Sequence, residues 1–127
     1  MLNKDKVLEY LKEYCNGVGR FPGFQWWHFV YNDYHMAYIA NNNPGILRIC
    51  IPHYCRADAF EPELLNEAVN ETNINVRYVK VIVLDNGSVS INYDHRCDSD
   101  GDTGFIVHHI LESLCFAAKY LDNLLSK

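Results

Sequence analysis

The stretch NVRYVKVIVLDNGSVSINYDH (75–95) decides how the rest of the chain is read. Two runs rich in Val, Ile and Tyr flank Asp85-Asn86-Gly87. Asn-Gly between such runs signals a hairpin, because a type I′ turn needs positive φ at both central residues. The pattern predicts strands over 75–84 and 88–95. The second arm alternates, with Val89, Ile91 and Tyr93 on one face and Ser88, Ser90, Asn92 and Asp94 on the other. A strand of that kind buries one side and wets the other, so an apolar layer must cover the buried side.

The covering layer follows directly. From about Gly104 to Leu125, Ile106, Ile110, Leu114, Ala117, Leu121 and Leu124 share one stripe, while Glu112, Lys119, Asp122 and Asn123 share the opposite one. That spacing predicts a long amphipathic helix lying across the sheet. Upstream, residues 56–73 return to helical spacing through Phe60, Leu64, Leu65, Ala68 and Val69, with Pro62 tolerable in a first turn. Residues 3–15 place Val7, Leu8, Leu11, Tyr14 and Cys15 on one side of another helix, stopped at Asn16-Gly17. Gly17, Gly19, Pro22 and Gly23 read as a loop. Aromatic and branched residues mark strands over 24–32, 34–40 and 46–52, split by Asn32-Asp33 and by NNNPG at 41–45. The predicted order is α-βββ-α-ββ-α, an α+β two-layer sandwich whose antiparallel sheet carries its helices on one face, in a single domain over 1–127.

Bulk composition excludes several function classes. The 127 residues are 49% apolar, enough for one core, and the net charge is −5. The eleven Lys and Arg are scattered singly, so no basic stripe meets phosphates and no nucleic-acid partner is expected. MLNKDKVLEYLKEY is interrupted by charge where a signal peptide would be apolar, and no run approaches the roughly 20 apolar residues of a membrane span. The five irregularly spaced cysteines then read as reduced thiols of a cytoplasmic protein.

The segments LLNEAVNETN (64–73), VKVIVLDNGSVSI (79–91) and FIVHHILESLCFAAKYLDNLL (105–125), taken with the element order, resemble the YbjN family, described as bacterial sensory-transduction regulators. In that family a helix ending in an Asn-x-x-Asn step, here Asn70-Glu-Thr-Asn73, leads to a hairpin and a long C-terminal helix. The resemblance covers about half the chain closely and the first half by element order. It implies a type III secretion chaperone-like fold and carries over no catalytic residue.

HRCDSDGDTG (95–104) is the stretch with the most visible polar chemistry. Counted from Asp98 as a calcium loop, Asp98, Asp100 and Asp102 fit, but Thr103 stands at the glycine position and His109 where a bidentate Glu closes the site. An Asp or Thr before an apolar run also caps free backbone N–H groups, and the stretch is read as a helix entrance. The pairs His53/Cys55 and His95/Cys97 could each present two ligands on one strand face, yet neither has the spacing of a structural zinc site. His108 and His109 point about 100° apart on a helix. Gly17-Val-Gly19-Arg20 lacks the Lys of a phosphate loop, and no local signature pairs a nucleophile with a base. No metal, cofactor or enzymatic activity is expected.

The aromatics carry more. Trp26 and Trp27 are neighbours on a strand, so they project from opposite faces. With Trp27, Phe29 and Tyr31 under the helices, Trp26, His28 and Val30 lie outside. The same alternation puts Leu47, Ile49, Val79, Val81, Val89 and Ile91 inside and Ile46, Arg48, Tyr78, Lys80 and Ile82 outside. That outer face is too apolar for plain solvated surface and too polar for a core. Trp26, His28, Arg48, Tyr78, Lys80 and Ile82 are therefore the candidate partner-binding residues. The expected function is a non-enzymatic, chaperone-like binding module, a homodimer that holds a peptide or protein on its sheet face or edge. The alternative is a small-molecule- or metal-responsive regulator.

Overall fold

The computed structural model describes residues 4–40, 45–97 and 102–126. Asp98 and Asp100 of the calcium reading and most of the NNNPG turn lie outside them. The fold is α+β: one six-stranded antiparallel sheet and three helices. Its elements are α1 (Lys4–Tyr14), β1 (Asn16–Arg20), β2 (Trp26–Tyr31), β3 (Tyr34–Ile39), β4 (Ile46–Arg56), α2 (Pro62–Asn75), β5 (Val79–Val83), β6 (Ser88–Arg96) and α3 (Thr103–Leu125). The strands run in the order β1-β2-β3-β4-β6-β5.

One strand adds to the expected order. Asn16–Arg20, expected as a loop because of its glycines, pairs with β2. Gly17 supplies a φ of +62° at the irregular step, and Gly19 leaves room for the His28 imidazole, whose Nε2 would lie 2.7 Å from a Cβ there. Glycine here marks close packing within an edge strand.

Three boundaries also move. Strand β4 runs on to Arg56 because Pro52 falls within a register shift between Ile51 and Cys55, where its missing N–H breaks no ladder. Helix α2 starts at Pro62 and not at residue 56, since Glu61, ahead of a proline, stays extended at φ −58°, ψ 133°. The helix then continues to Asn75, so β5 begins at Val79 and not at residue 75.

Both tight hairpins form, with turns differing from the expected assignment. Asn32 and Asp33 both have positive φ, the backbone of a type I′ turn. At Asp85-Asn86-Gly87 only Gly87 does; Gly87 N–H donates to the Leu84 carbonyl and Leu84 N–H to the Ser88 carbonyl. That is a three-residue loop closed by a left-handed glycine, not the expected type I′ turn.

The core lies between sheet and helices. Leu47, Ile49, Val89 and Ile91 from the sheet meet Val7 and Leu11 of α1, Leu65 and Ala68 of α2, and Ile110, Leu114, Ala117 and Leu121 of α3, all buried. The α3 stripe is wider than its expected core positions, since Val107, Leu111, Cys115 and Ala118 are buried too. Tyr14, expected inside, is exposed, and its ring packs 4.6 Å from that of Tyr10. Tyrosine hydroxyls tie the sheet and α1 to α3. Tyr31 donates to Glu112, Tyr54 to the Ala118 carbonyl, and Tyr10 bonds His108 Nδ1. Asp102 opens α3 as its N-cap, accepting from Phe105 N–H at 3.1 Å. Among the described residues no helix is long and apolar enough to cross a membrane.

Candidate binding surface on the outer sheet face

Strand register builds this surface row by row. Trp26 pairs with Ile39, Ile39 with Arg48 and Arg48 with Asp94, giving one row across four strands. The next row is His28, Ala37, Cys50, Asn92 and Lys80. Beyond it, Ser90 pairs with Ile82. Among the described residues no helix packs on these side chains, yet Cys50 and Ser90 are buried, as is Ala37 beside them, because taller neighbours stand around small residues. The result is a hollow of about 570 Å³ walled by Trp26, Ile39, Tyr78, Ile82 and Leu84.

Its electrostatics are simple. Arg48 donates to Asp94 through two bonds, Nε to Oδ1 at 2.6 Å and Nη2 to Oδ2 at 2.8 Å. The bidentate pair leaves little net charge at that end. Lys80 projects from β5 without an ion pair among the described residues. Burial pushes the Cys50 thiol up to about 11, with Arg48 pulling the other way and Asp94 adding to the rise. The floor therefore holds a protonated, weakly nucleophilic thiol at neutral pH.

The aromatic wall extends past Trp26. Phe24 stacks on Trp26 at 5.1 Å, and Phe21 meets Trp26 and His28 edge-on at 6.4 and 5.2 Å. Trp26 remains 41% exposed among them. Trp27 points the other way, half-buried against the core, with Lys12 Nζ 5.7 Å from its ring centroid.

Tyr78 holds an unusual position. It has φ +67° and is 72% exposed, and it lines both this hollow and another on the helical side. A bulky residue with positive φ is a genuine backbone outlier. Its ring lies 6.2 Å from Tyr93, so it turns around the sheet edge and not outward from a strand interior as expected.

The structure brings Trp26, Arg48, Tyr78, Lys80 and Ile82 around one hollow, with His28 beside Trp26 and under Phe21. The sequence reading did not single out the floor residues Cys50 and Ser90 or the surrounding Ile39, Leu84, Phe21 and Phe24 as site residues. Cross-strand register brings Ile39, Cys50 and Ser90 together, and ring contacts add Phe21 and Phe24. The other candidates sit apart. His53 bonds the Ser88 hydroxyl at 3.0 Å, while Cys55 packs toward the core. Cys97 is buried with its thiol toward the His95 carbonyl at 3.7 Å. His108 bonds Tyr10, and His109 meets Tyr93 edge-on at 6.3 Å. Among the described residues none of the five cysteines forms a disulfide, and no three His, Cys, Asp or Glu side chains converge.

No family model matches the sequence, and no curated protein matches it. The fold itself is similar to the crystal structure of an uncharacterized protein from Methanothermobacter thermautotrophicus. The two share 11% identity over 97% of this chain and 96% of that one, with a TM-score of 0.65. At that identity the likeness shows the fold alone.

Proposed function

We propose that the chain is a non-enzymatic binding module that holds an extended peptide segment of a protein partner in the outer-sheet hollow. The observation that carries this reading is the floor of Cys50, Ser90 and Asn92 beneath a rim of Trp26, Ile39, Ile82 and Leu84. Large aromatic anchors around a pocket are the composition of an interface centre. The occupant carries a bulky apolar side chain for the hollow and a carboxylate next to it, because Lys80 is the one lining charge that lacks an opposite partner among the described residues. Arg48 is already neutralised by Asp94.

Two features favour the sheet face over its β5 edge. The Asn73 side chain occupies the outward backbone groups of Val81 on that strand. The apolar wall, moreover, is made of face residues. Binding is favoured over catalysis because the hollow's thiol is held protonated and its carboxylate is locked to Arg48. Five cysteines with no disulfide among the described residues fit a reducing, cytoplasmic setting. Membership of the YbjN family remains part of this proposal.

An array of immobilised decapeptides tests it, each with a central Leu or Phe flanked either by Glu or by Lys. The protein is expected to be retained on the Glu-flanked peptides, and Lys80→Glu to reverse that preference. Equal retention on both sets, or a preference unmoved by Lys80→Glu, contradicts the reading. A saturable response to a metal salt or a small molecule in place of any peptide would favour the regulator alternative.

A further inference from the structure

The solvent side of α3 carries a pattern that its core-facing stripe does not require. Phe105, His109, Glu112, Phe116, Lys119 and Asn123 are separated by four, three, four, three and four residues, and every one is exposed. Alternation of three and four is the spacing that keeps one seam of a helix facing another helix. Phe116 stands in the middle of it, 60% exposed and, among the described residues, in ring contact only with Tyr120 of its own helix. Beside it lies a hollow of about 510 Å³ lined by Val76, Tyr78, His109, Glu112 and Phe116 among others. A projecting ring thus adjoins a space able to take a ring.

We propose that this face binds a second copy of the chain, α3 against α3 in antiparallel orientation about a two-fold axis at Phe116. The charges argue for that occupant. Glu112 lies four residues before Phe116 and Lys119 three after it. Reversing the second helix about Phe116 therefore brings Glu112 of one copy opposite Lys119 of the other, twice by symmetry. His109 comes opposite Asp122 and Asn123 of the second copy in the same register. A parallel arrangement would put Glu112 against Glu112 and Lys119 against Lys119. Knob and hollow on one surface are self-complementary, as an isologous interface requires. Glu112 already accepts from Tyr31 and is held for the contact by that bond, while Lys119 makes no ion pair among the described residues. The hollow beside Phe116 and the outer-sheet hollow share only Tyr78 among their lining residues, and the variants below all lie on α3, so the dimer is tested apart from the peptide reading.

Sedimentation velocity on the full chain over a concentration series tests it, with circular dichroism melts for each variant. The wild-type protein is expected to sediment at twice the chain mass. Phe116→Ser should yield a monomer that still melts cooperatively, at a temperature that no longer rises with protein concentration, because the ring is exposed in the single chain. Lys119→Glu, which sets carboxylate against carboxylate, should raise the dissociation constant by about tenfold or more. The double variant Glu112→Lys/Lys119→Glu exchanges the two charges and should restore the dimer. A wild-type monomer throughout the series overturns the proposal. So does a dimer that either single variant leaves unchanged, or one that the charge exchange fails to restore.

Discussion

The side chain of Asn73 on α2 pairs with Val81 on β5 as a second peptide unit would: its Oδ1 accepts from Val81 N–H at 2.6 Å and its Nδ2 donates to the Val81 carbonyl at 3.0 Å. An edge strand exposes such groups to any passing strand, and this one carries Val81, Ile82 and Val83 in a row. Asn73 closes the middle of that edge and fixes the end of α2 over the sheet. Asn73→Ala should cost about 1–3 kcal/mol in urea denaturation, because it leaves both Val81 groups without protein partners. Native hydrogen exchange at Val81 should accelerate in the variant. A protected Val81 amide in Asn73→Ala would mean that the bond is dispensable.

Leu114 lies fully buried on α3 in the common core beneath the sheet. Leu114→Ala should destabilise the fold by about 2–5 kcal/mol, measured by denaturant melts. A loss below about 0.5 kcal/mol is what an open surface position gives and would contradict the role of α3 as the lid.

Tyr78 should separate stability from binding. A left-handed backbone disfavours an L-residue by about 1–2 kcal/mol, and glycine removes that strain. Tyr78→Gly loses a mostly exposed ring that touches Tyr93, so its unfolding free energy should stay level or rise by up to about 1 kcal/mol. Peptide retention should nevertheless fall, because one wall of the hollow is gone. A clear loss of stability would show the ring to be structural.

Alkaline pH should weaken the fold through its buried thiols. Burial raises Cys50 from the ordinary 9.0 to about 11, and Cys15 likewise to about 11. Below pH 9 both states keep the proton and the stabilisation is complete. Between about pH 9 and 11 the unfolded chain releases protons that the folded chain retains, so stability falls as pH rises. Each thiol contributes a slope of up to about 1.4 kcal/mol per pH unit. Cys50→Ala should flatten the decline in a pH series of urea melts. An identical slope in the variant would place the loss elsewhere.

Much of the architecture was legible because periodicity records burial. The alternation of Val89, Ile91 and Tyr93 and the α3 stripe through Leu114 and Leu121 survive intact as core positions. Features that depend on distant neighbours were not legible. Gly19 looks like a loop residue until His28 is seen lying against β1. Tyr78 reads as one more strand residue, since nothing local announces that α2 runs on to Asn75 and the chain must then turn through a positive φ. For the candidate surface, alternation on single strands named its walls, Trp26, Arg48, Lys80 and Ile82. The floor required the pairing of Cys50 with Asn92 and of Ser90 with Ile82, a relation across three strands that no stretch of sequence contains.

The two neighbouring tryptophans provide the most direct test of the hollow as a binding site. Trp26 is a rim residue in contact with Phe21 and Phe24, whereas Trp27 packs against the core. Retention on the Glu-flanked peptide array and thermal melting should be measured together on Trp26→Ser and Trp27→Ser. The account predicts that Trp26→Ser melts like the wild-type protein and loses retention. Trp27→Ser should lose about 1–3 kcal/mol of stability, less than truncating a fully buried aromatic, because its ring is half-buried against the core. A folded Trp26→Ser protein that still retains the peptides as the wild type does would contradict the account.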